Sequence, residues 1–362
     1  MNLLFPKIYT YCITNTANFQ ELYFVEKCQE WDIAYGKTAY VKGQKIEGLF
    51  VPRSSLKVGD YVEYTPDTAS DYSIASNVSG YTSNQTISQD TSLKWRIMIV
   101  NDDGTVDLVS DKPTSESISL SGAVGYNNAV YLLDEASSKL YSNSELGAEA
   151  RNIKVEDYEK KLNSAGKNAI SNYNENGATI KYGETRYTGK FYSGSLNRET
   201  YPYYPILYAQ EIGSGINLTT VRQDGVEKSD KYYTSPTTQG AQVTTSGLTA
   251  TQTGYVINAT ELKSYFDNEE FYNLIFNVDT FIFSSRYRYC HPISDNIYYY
   301  GQVSFGVYAY SINSGIWSGW LYNTDPISAV QTKPIRPVIT LNTNIQIYGG
   351  DGSAEHPYQL TK

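Results

Sequence analysis

The chain has 362 residues, 40% of them hydrophobic and 19% charged, enough apolar material for a core and too much for wholesale disorder. Its formal net charge is −9 with a pI near 4.9 and it has no basic cluster, so no nucleic-acid partner is expected. No run of 18 apolar residues occurs, so no membrane span is expected, and the Pro-interrupted start Met1–Ile13 is a poor signal peptide.

Tyrosine dominates the aromatic content, with 36 residues against 11 Phe and 4 Trp. Alongside abundant Ser, Thr, Asn and Gly, it suits an adaptable contact surface, because Tyr brings large amphipathic area at low entropic cost. It equally suits an extracellular β-rich protein with Tyr on half-exposed strands; composition leaves both open. The cysteines Cys12, Cys28 and Cys290 are too few for a disulfide framework and lack zinc-site spacing. Cys12 and Cys28 could pair in an oxidising compartment, and Cys290 reads as a small buried hydrophobe. With only His291 and His356 to supply imidazole, no cofactor, metal site or enzymatic activity is expected.

Residues 1–55 read as a poorly defined N-terminal segment, with a weak helical pattern over Phe19–Trp31. Val58–Tyr64 alternates apolar and polar and stops before Pro66, which predicts a strand. The Ser-, Thr-, Asn- and Asp-rich residues 67–92 predict a loop. Trp95–Val100 and Thr105–Ser110 flank Asn101-Asp102-Asp103-Gly104 and predict a hairpin. That acidic turn lacks the later Glu and flanking helices of an EF-hand calcium loop.

Helices are predicted over Asn128–Ser142, over Val155–Leu162 with its acidic start and lysine end, and over Thr260–Phe276. None is predicted between 163 and 254, where Tyr201–Pro205 reads as extended. Strands are predicted at Phe281–Phe283, Val303–Tyr310 and Pro337–Leu341. The Asn-x-Ser/Thr sites at Asn77, Asn84, Asn217 and Asn258 indicate exposed loops.

Catalytic motifs are not met. Gly315–Gly319 has the wrong spacing for a nucleophile elbow, and Gly213-Ser214-Gly215 lacks the Lys of a phosphate loop. Adjacent Cys290 and His291 would point to opposite faces of a strand. Glu269-Glu270 reads as a solvated helix face, Trp95 as core, and Arg336 as a framework residue with a buried carboxylate or carbonyl partner.

The C-terminal part carries Phe283-Ser284-Ser285-Arg286-Tyr287, then a Tyr/Ser/Asn/Gly segment, then Ile335-Arg336-Pro337-Val338-Ile339. Upstream stand Gly125–Leu133 and Ala150–Glu159, and the closing Gly350–Tyr358 is similar to tails of bacterial surface proteins. In this order the segments resemble the C-type-lectin fold of the formylglycine-generating-enzyme type. Within it they look most like variable proteins of diversity-generating retroelements from gut Firmicutes and their phages.

The resemblance implies an α+β, C-type-lectin-like fold with irregular antiparallel sheets, two to three helices and long loops. It implies a domain over 56–345, a tail over 346–362 and a variable binding segment over 287–329. In such proteins mutagenic reverse transcription replaces adenines, turning Asn codons into Tyr, Ser, Asp, His, Ile and Gly. The ligand contacts it implies are Tyr287, Tyr289, His291, Ser294, Asp295, Tyr298, Tyr299, Tyr300, Tyr308, Tyr310, Trp317, Trp320, Tyr322 and Asn323.

The implied partner is a protein or glycan on a cell surface. The chain itself would sit on a bacterial surface or phage particle, as an adhesin or tropism protein, with a homo-oligomer among its expected states. Of the cysteines that copper-dependent oxidation needs, only Cys290 lies in this region, and the lectin calcium signatures are absent. Two other readings stay open. One is an extracellular glycan-binding or glycan-active protein, with Trp317 and Trp320 stacking on sugars and Asp295 or Asp325 acting on the bond. The other is a structural surface component.

Overall fold

A computed structural model describes Glu30 and residues 33–41, 44–175, 180–181, 222–223, 226–227, 249–250, 256–291, 302–323 and 329–362. In chain order the elements are strands β1 (Thr38–Val41), β2 (Gln44–Glu47), β3 (Tyr61–Val62) and β4 (Tyr72–Ile74), helix α1 (Ser76–Ser79), then β5 (Gln85–Ile87), β6 (Trp95–Val100), β7 (Val106–Ser110) and β8 (Ser117–Ser121). Helix α2 (Gly122–Tyr141), β9 (Glu149–Asn152), α3 (Val155–Glu159) and α4 (Ser164–Glu175) follow. The two-residue strands β10 (Ile180–Lys181), β11 (Arg222–Gln223), β12 (Val226–Glu227) and β13 (Thr249–Ala250) come next. Helices α5 (Ala259–Leu262) and α6 (Glu269–Phe276) lead into β14 (Phe281–His291), β15 (Gln302–Ser311), β16 (Gly315–Asn323), β17 (Val330–Pro334), β18 (Pro337–Leu341), β19 (Gln346–Tyr348) and β20 (Gln359–Thr361). Among the described residues helices are few and strand pairing is mostly antiparallel, a mixed helix-and-sheet arrangement compatible with α+β.

The chain forms two compact units. One combines 1–65 with Lys94–Leu108 and Leu341–Lys362; the other combines Pro66–Leu93 with Val109–Thr340. Neither unit is contiguous in sequence, and the closing residues are paired. β19 pairs antiparallel with β20. Tyr358 N–H donates to the Tyr61 carbonyl at 2.9 Å, and Glu63 N–H to the Tyr358 carbonyl at 2.7 Å.

In the first unit β3 pairs with β6, Val62 opposite Trp95. Trp95 is core, 2% exposed, and meets Tyr64 edge-on at 5.2 Å. The strand predicted over Val58–Tyr64 is shorter. Lys57 and Asp60 close a turn in which Asp60 N–H donates to the Lys57 carbonyl and Lys57 N–H to the Asp60 carboxylate. The β6–β7 hairpin is present as predicted. Its turn puts Gly104 at φ 83°, the left-handed region that suits glycine, and the Asp103 carboxylate accepts from the Thr105 N–H and hydroxyl.

In the second unit the stretch 67–92 is not a plain loop. β4 and β5 pair around α1, and polar side chains hold them. Gln85 donates to the Ser119 carbonyl and accepts from the Ser119 N–H, while Asn84 accepts from the Ser76 N–H. Asn77, Asn84 and Asn258 are exposed, Asn77 within α1 rather than in a loop.

Helix α2 starts before the predicted Asn128. It buries Tyr126, Ala129, Leu132, Leu133, Ala136 and Leu140, the stripe that 3.6-residue periodicity aligns, and it packs on β9, β14, β15 and β16. α4 is a helix the sequence reading missed; Asn163 opens it by accepting the Gly166 N–H at 3.0 Å. The single helix predicted over Thr260–Phe276 is broken. Phe266 leaves the helical region to bridge Leu162, and Asn268 starts α6 afresh by accepting the Phe271 N–H at 2.7 Å, a side-chain N-cap. Glu269 and Glu270 are exposed on it.

Candidate ligand-binding strands

Strands β14, β15 and β16 form a three-stranded antiparallel sheet carrying most of the described part of the 287–329 segment. One end is core. Phe281, Ile282, Phe283, Ser284 and Ser285 of β14 are buried, as are Val307, Tyr308, Ala309 and Tyr310 of β15. Because alternate strand residues face opposite ways, continuous burial means both faces are covered there.

Arg336 ties this end down. It is fully buried and its guanidinium bonds three main-chain carbonyls: Ser110 from Nε (3.2 Å) and Nη2 (3.1 Å), Leu274 from Nη2 (2.6 Å) and Ile275 from Nη1 (2.6 Å). Its carbon also lies 5.4 Å from the Phe281 ring centre. The Leu274 and Ile275 carbonyls belong to the last turn of α6, where helix carbonyls lack intrahelical partners and the dipole favours a cation. The Phe276 carbonyl accepts from the Tyr310 hydroxyl, and the Asn273 carbonyl accepts from the Asn277 N–H. The whole C-terminal turn is thereby satisfied. Asn152 links β9 to both neighbours: its Oδ1 accepts the Arg336 N–H at 2.8 Å and its Nδ2 donates to the Ile282 carbonyl at 2.8 Å.

Apart from Tyr308, Tyr310 and Trp317, which lie on the covered part, the other end holds the predicted contacts among the described residues. Register aligns Tyr287 with Gly306 and Trp320, then Tyr289 with Ser304 and Asn323, and pairs His291 with Gln302. Directly paired residues share a face, so Tyr287, Tyr289, His291, Trp320 and Asn323 fall on one face. An irregularity between Phe305 and Gly306 moves Tyr322, opposite Phe305, to the other. Trp317, opposite Ala309, is also on that other face, so Trp317 and Trp320 do not form one platform. Both are partly buried. The Trp320 Nε1 is buried without a hydrogen-bond partner among the described residues, and its carbonyl accepts from Gln331 Nε2 at 3.0 Å.

Two predicted contacts are corrected. Tyr308 and Tyr310 are 0% and 2% exposed and belong to the core, since they sit on the covered part of β15. The Tyr310 ring packs against Phe276 at 5.1 Å and Phe281 at 5.2 Å. Burial raises its phenol far above the ordinary value, which keeps the hydroxyl a donor.

Ser294, Asp295, Tyr298, Tyr299, Tyr300 and Asp325 lie outside the described residues. So do Cys12, Cys28, Phe19–Gln29, Trp31, Tyr201–Pro205, Gly213–Gly215 and Asn217. The side chains of Tyr287, Tyr289, Cys290, His291, Tyr322 and Asn323 are likewise outside them.

Sequence reasoning missed Asn152, Glu156 and Ser285. Glu156, on the first turn of α3, accepts from the Ser285 hydroxyl at 3.3 Å. Burial, with lesser repulsion from Glu159 and Asp157, pushes its carboxyl up to about 7. Beside it, Arg151 grips Asp157 with two bonds of 2.7 and 2.8 Å. Both Asn152 and Glu156 lie in the Ala150–Glu159 segment singled out above, which was the available signal.

Comparison with protein-family models, with curated proteins and with solved structures returns no match for this chain. Among the described residues no helix is long and apolar enough to cross a membrane, and no group of three or more His, Cys, Asp or Glu is placed to hold a metal ion.

Proposed function

We propose that the chain is a ligand-binding display protein. On this reading it is a C-type-lectin-like variable protein of the retroelement-diversified kind, an adhesin or phage tropism protein on a bacterial surface or phage particle. Its ligand is a protein or glycan on a cell surface, and the contacts come from the 287–329 segment without Tyr308 and Tyr310.

The observation that carries this reading is the division of one sheet into two ends. Phe281–Ser285 and Val307–Tyr310 are core, with Arg336 over the Phe281 ring and bonded to the end of α6, while the same strands run on into aligned Tyr287, Tyr289, His291, Trp320 and Asn323. On this reading the far positions lie at the surface, where substitutions away from special features usually stay within ~0.5 kcal/mol. Tyrosines there supply ring area and one hydroxyl each.

The test is to sequence many copies of the coding region from one natural population. Substitutions are expected to concentrate between Tyr287 and Ala329 while sparing Tyr308, Tyr310 and Ile316. An even spread along the chain, or changes at those three as frequent as at Tyr287 and Tyr289, refutes diversification of this face.

A further inference from the structure

Glu156 joins α3 to β14 at a sensitive place. Ser285 is fully buried; its hydroxyl donates to Glu156 Oε2 at 3.3 Å and accepts the Val155 N–H at 3.0 Å. The preceding residue, Ser284, donates its N–H to the Ile153 carbonyl at 2.9 Å. Both serines lie within the irregularity between Ile282 and Arg286, where β14 slips against β15. The regular pairing that resumes at Arg286 runs to His291, so these bonds hold the root of the strand that carries Tyr287 and Tyr289.

Among the described residues the charges around Glu156 do not neutralise it. Asp157 and Glu159 on its own helix are like-charged neighbours, and Lys154 is the single cation among the described residues that acts on it, more weakly than either. Lys154 is itself paired with Asp134 of α2 at 3.1 Å, and Arg151 of β9 is engaged by Asp157 at 2.7 Å. The side chains of Arg286 and Arg288 lie outside the described residues. Burial is the main reason the neutral carboxyl is favoured until about pH 7.

We propose that Glu156 is a proton-operated latch on β14: neutral, it stays against the strand and takes the Ser285 hydroxyl; ionised, it moves toward water and loosens Arg286–His291. As pH rises from about 4.5 to about 7 the root of the strand is held less firmly, and above that range it opens at the higher frequency throughout. The latch acts on β14 whether or not that strand meets a ligand.

Amide hydrogen exchange of the full, unliganded chain at pH 6 and pH 8 tests this, each rate being divided by the intrinsic rate at that pH. A carboxyl that titrates near 7 when latched and at its ordinary value when open lowers protection about tenfold between those two pH values. That drop is expected at Val155 and across Ser284–His291. Glu156→Gln, neutral throughout, is expected to give equal protection at both. Ser285→Ala is expected to show the lower protection at both. Equal protection at the two pH values in the unmodified chain, or the same drop in Glu156→Gln, overturns the latch. Because no ligand is present, that result stands apart from the population-sequencing test.

Discussion

Arg336 donates to the Ile275 carbonyl at 2.6 Å, seating a fully buried cation at the carboxyl end of α6. The bond joins a residue just ahead of β18 to one 61 positions earlier. With the neighbouring bonds to Leu274 and Ser110 it places the helix end and the end of β7 around one planar group. Five fixed donors make guanidinium suited to several carbonyls at once.

Replacing Arg336 with Met is therefore expected to destabilise the protein by about 3–5 kcal/mol, because buried carbonyls are left without donors. Arg336→Lys should recover only part of this, since a point-like ammonium cannot span three acceptors. Urea unfolding followed by tryptophan fluorescence measures both; an Arg336→Met midpoint equal to that of the parent would refute the clamp.

Tyr310 should behave as framework. Tyr310→Phe keeps the ring against Phe276 and Phe281 but removes the donor to the Phe276 carbonyl, with an expected loss of about 1–2 kcal/mol. Tyr310→Ala also empties ring volume and should lose about 3–5 kcal/mol. Denaturant melts of the two variants check the ordering, and an Ala variant as stable as the parent would return Tyr310 to the surface.

Glu156 gives stability a definite pH window. In the folded chain its carboxyl keeps the proton up to about pH 7, whereas in the unfolded chain it releases it near the ordinary value of 4.5. The native state thus binds more protons in between, and stability falls as pH rises from about 4.5 to about 7, by up to about 3 kcal/mol. Asp67, Asp103 and Asp351, held below their ordinary values by hydrogen bonds from Ser144, Thr105 and Ser353, act with the opposite sign and at lower pH. Burial raises Asp60 as well, so the comparison needed is parent against Glu156→Gln. The variant should have the flatter stability profile between pH 4.5 and 7; parallel profiles would contradict the assignment.

Gly315 closes the β15–β16 turn at φ 81°, and a β-carbon there would collide with the Ile257 carbonyl and the Ala259 nitrogen. The same backbone is held by reciprocal Ile257–Ile316 hydrogen bonds of 3.0 and 2.9 Å, which leaves little room to move aside. Gly315→Ala is expected to cost about 2–4 kcal/mol, from strain and collision together. Thermal unfolding by circular dichroism checks it; an unchanged midpoint would show that the turn relaxes freely.

Local patterns in the chain were sufficient for the β6–β7 hairpin, because Asp103 and Gly104 carry their turn chemistry with them, and for the buried stripe of α2, which needs only helical periodicity. The acidic Glu269-Glu270 face and the burial of Trp95 were legible for the same reason. Other features depended on partners distant in sequence. Arg336 needed the α6 carbonyls, Glu156 needed Ser285 across 129 positions, and the closing Gly350–Tyr358 needed Tyr61. Tyr308 and Tyr310 were misread because composition treats every tyrosine of the segment alike. Which of them faces outward depends on strand register and on how far the covering helices reach, and only assembly of the whole unit sets those.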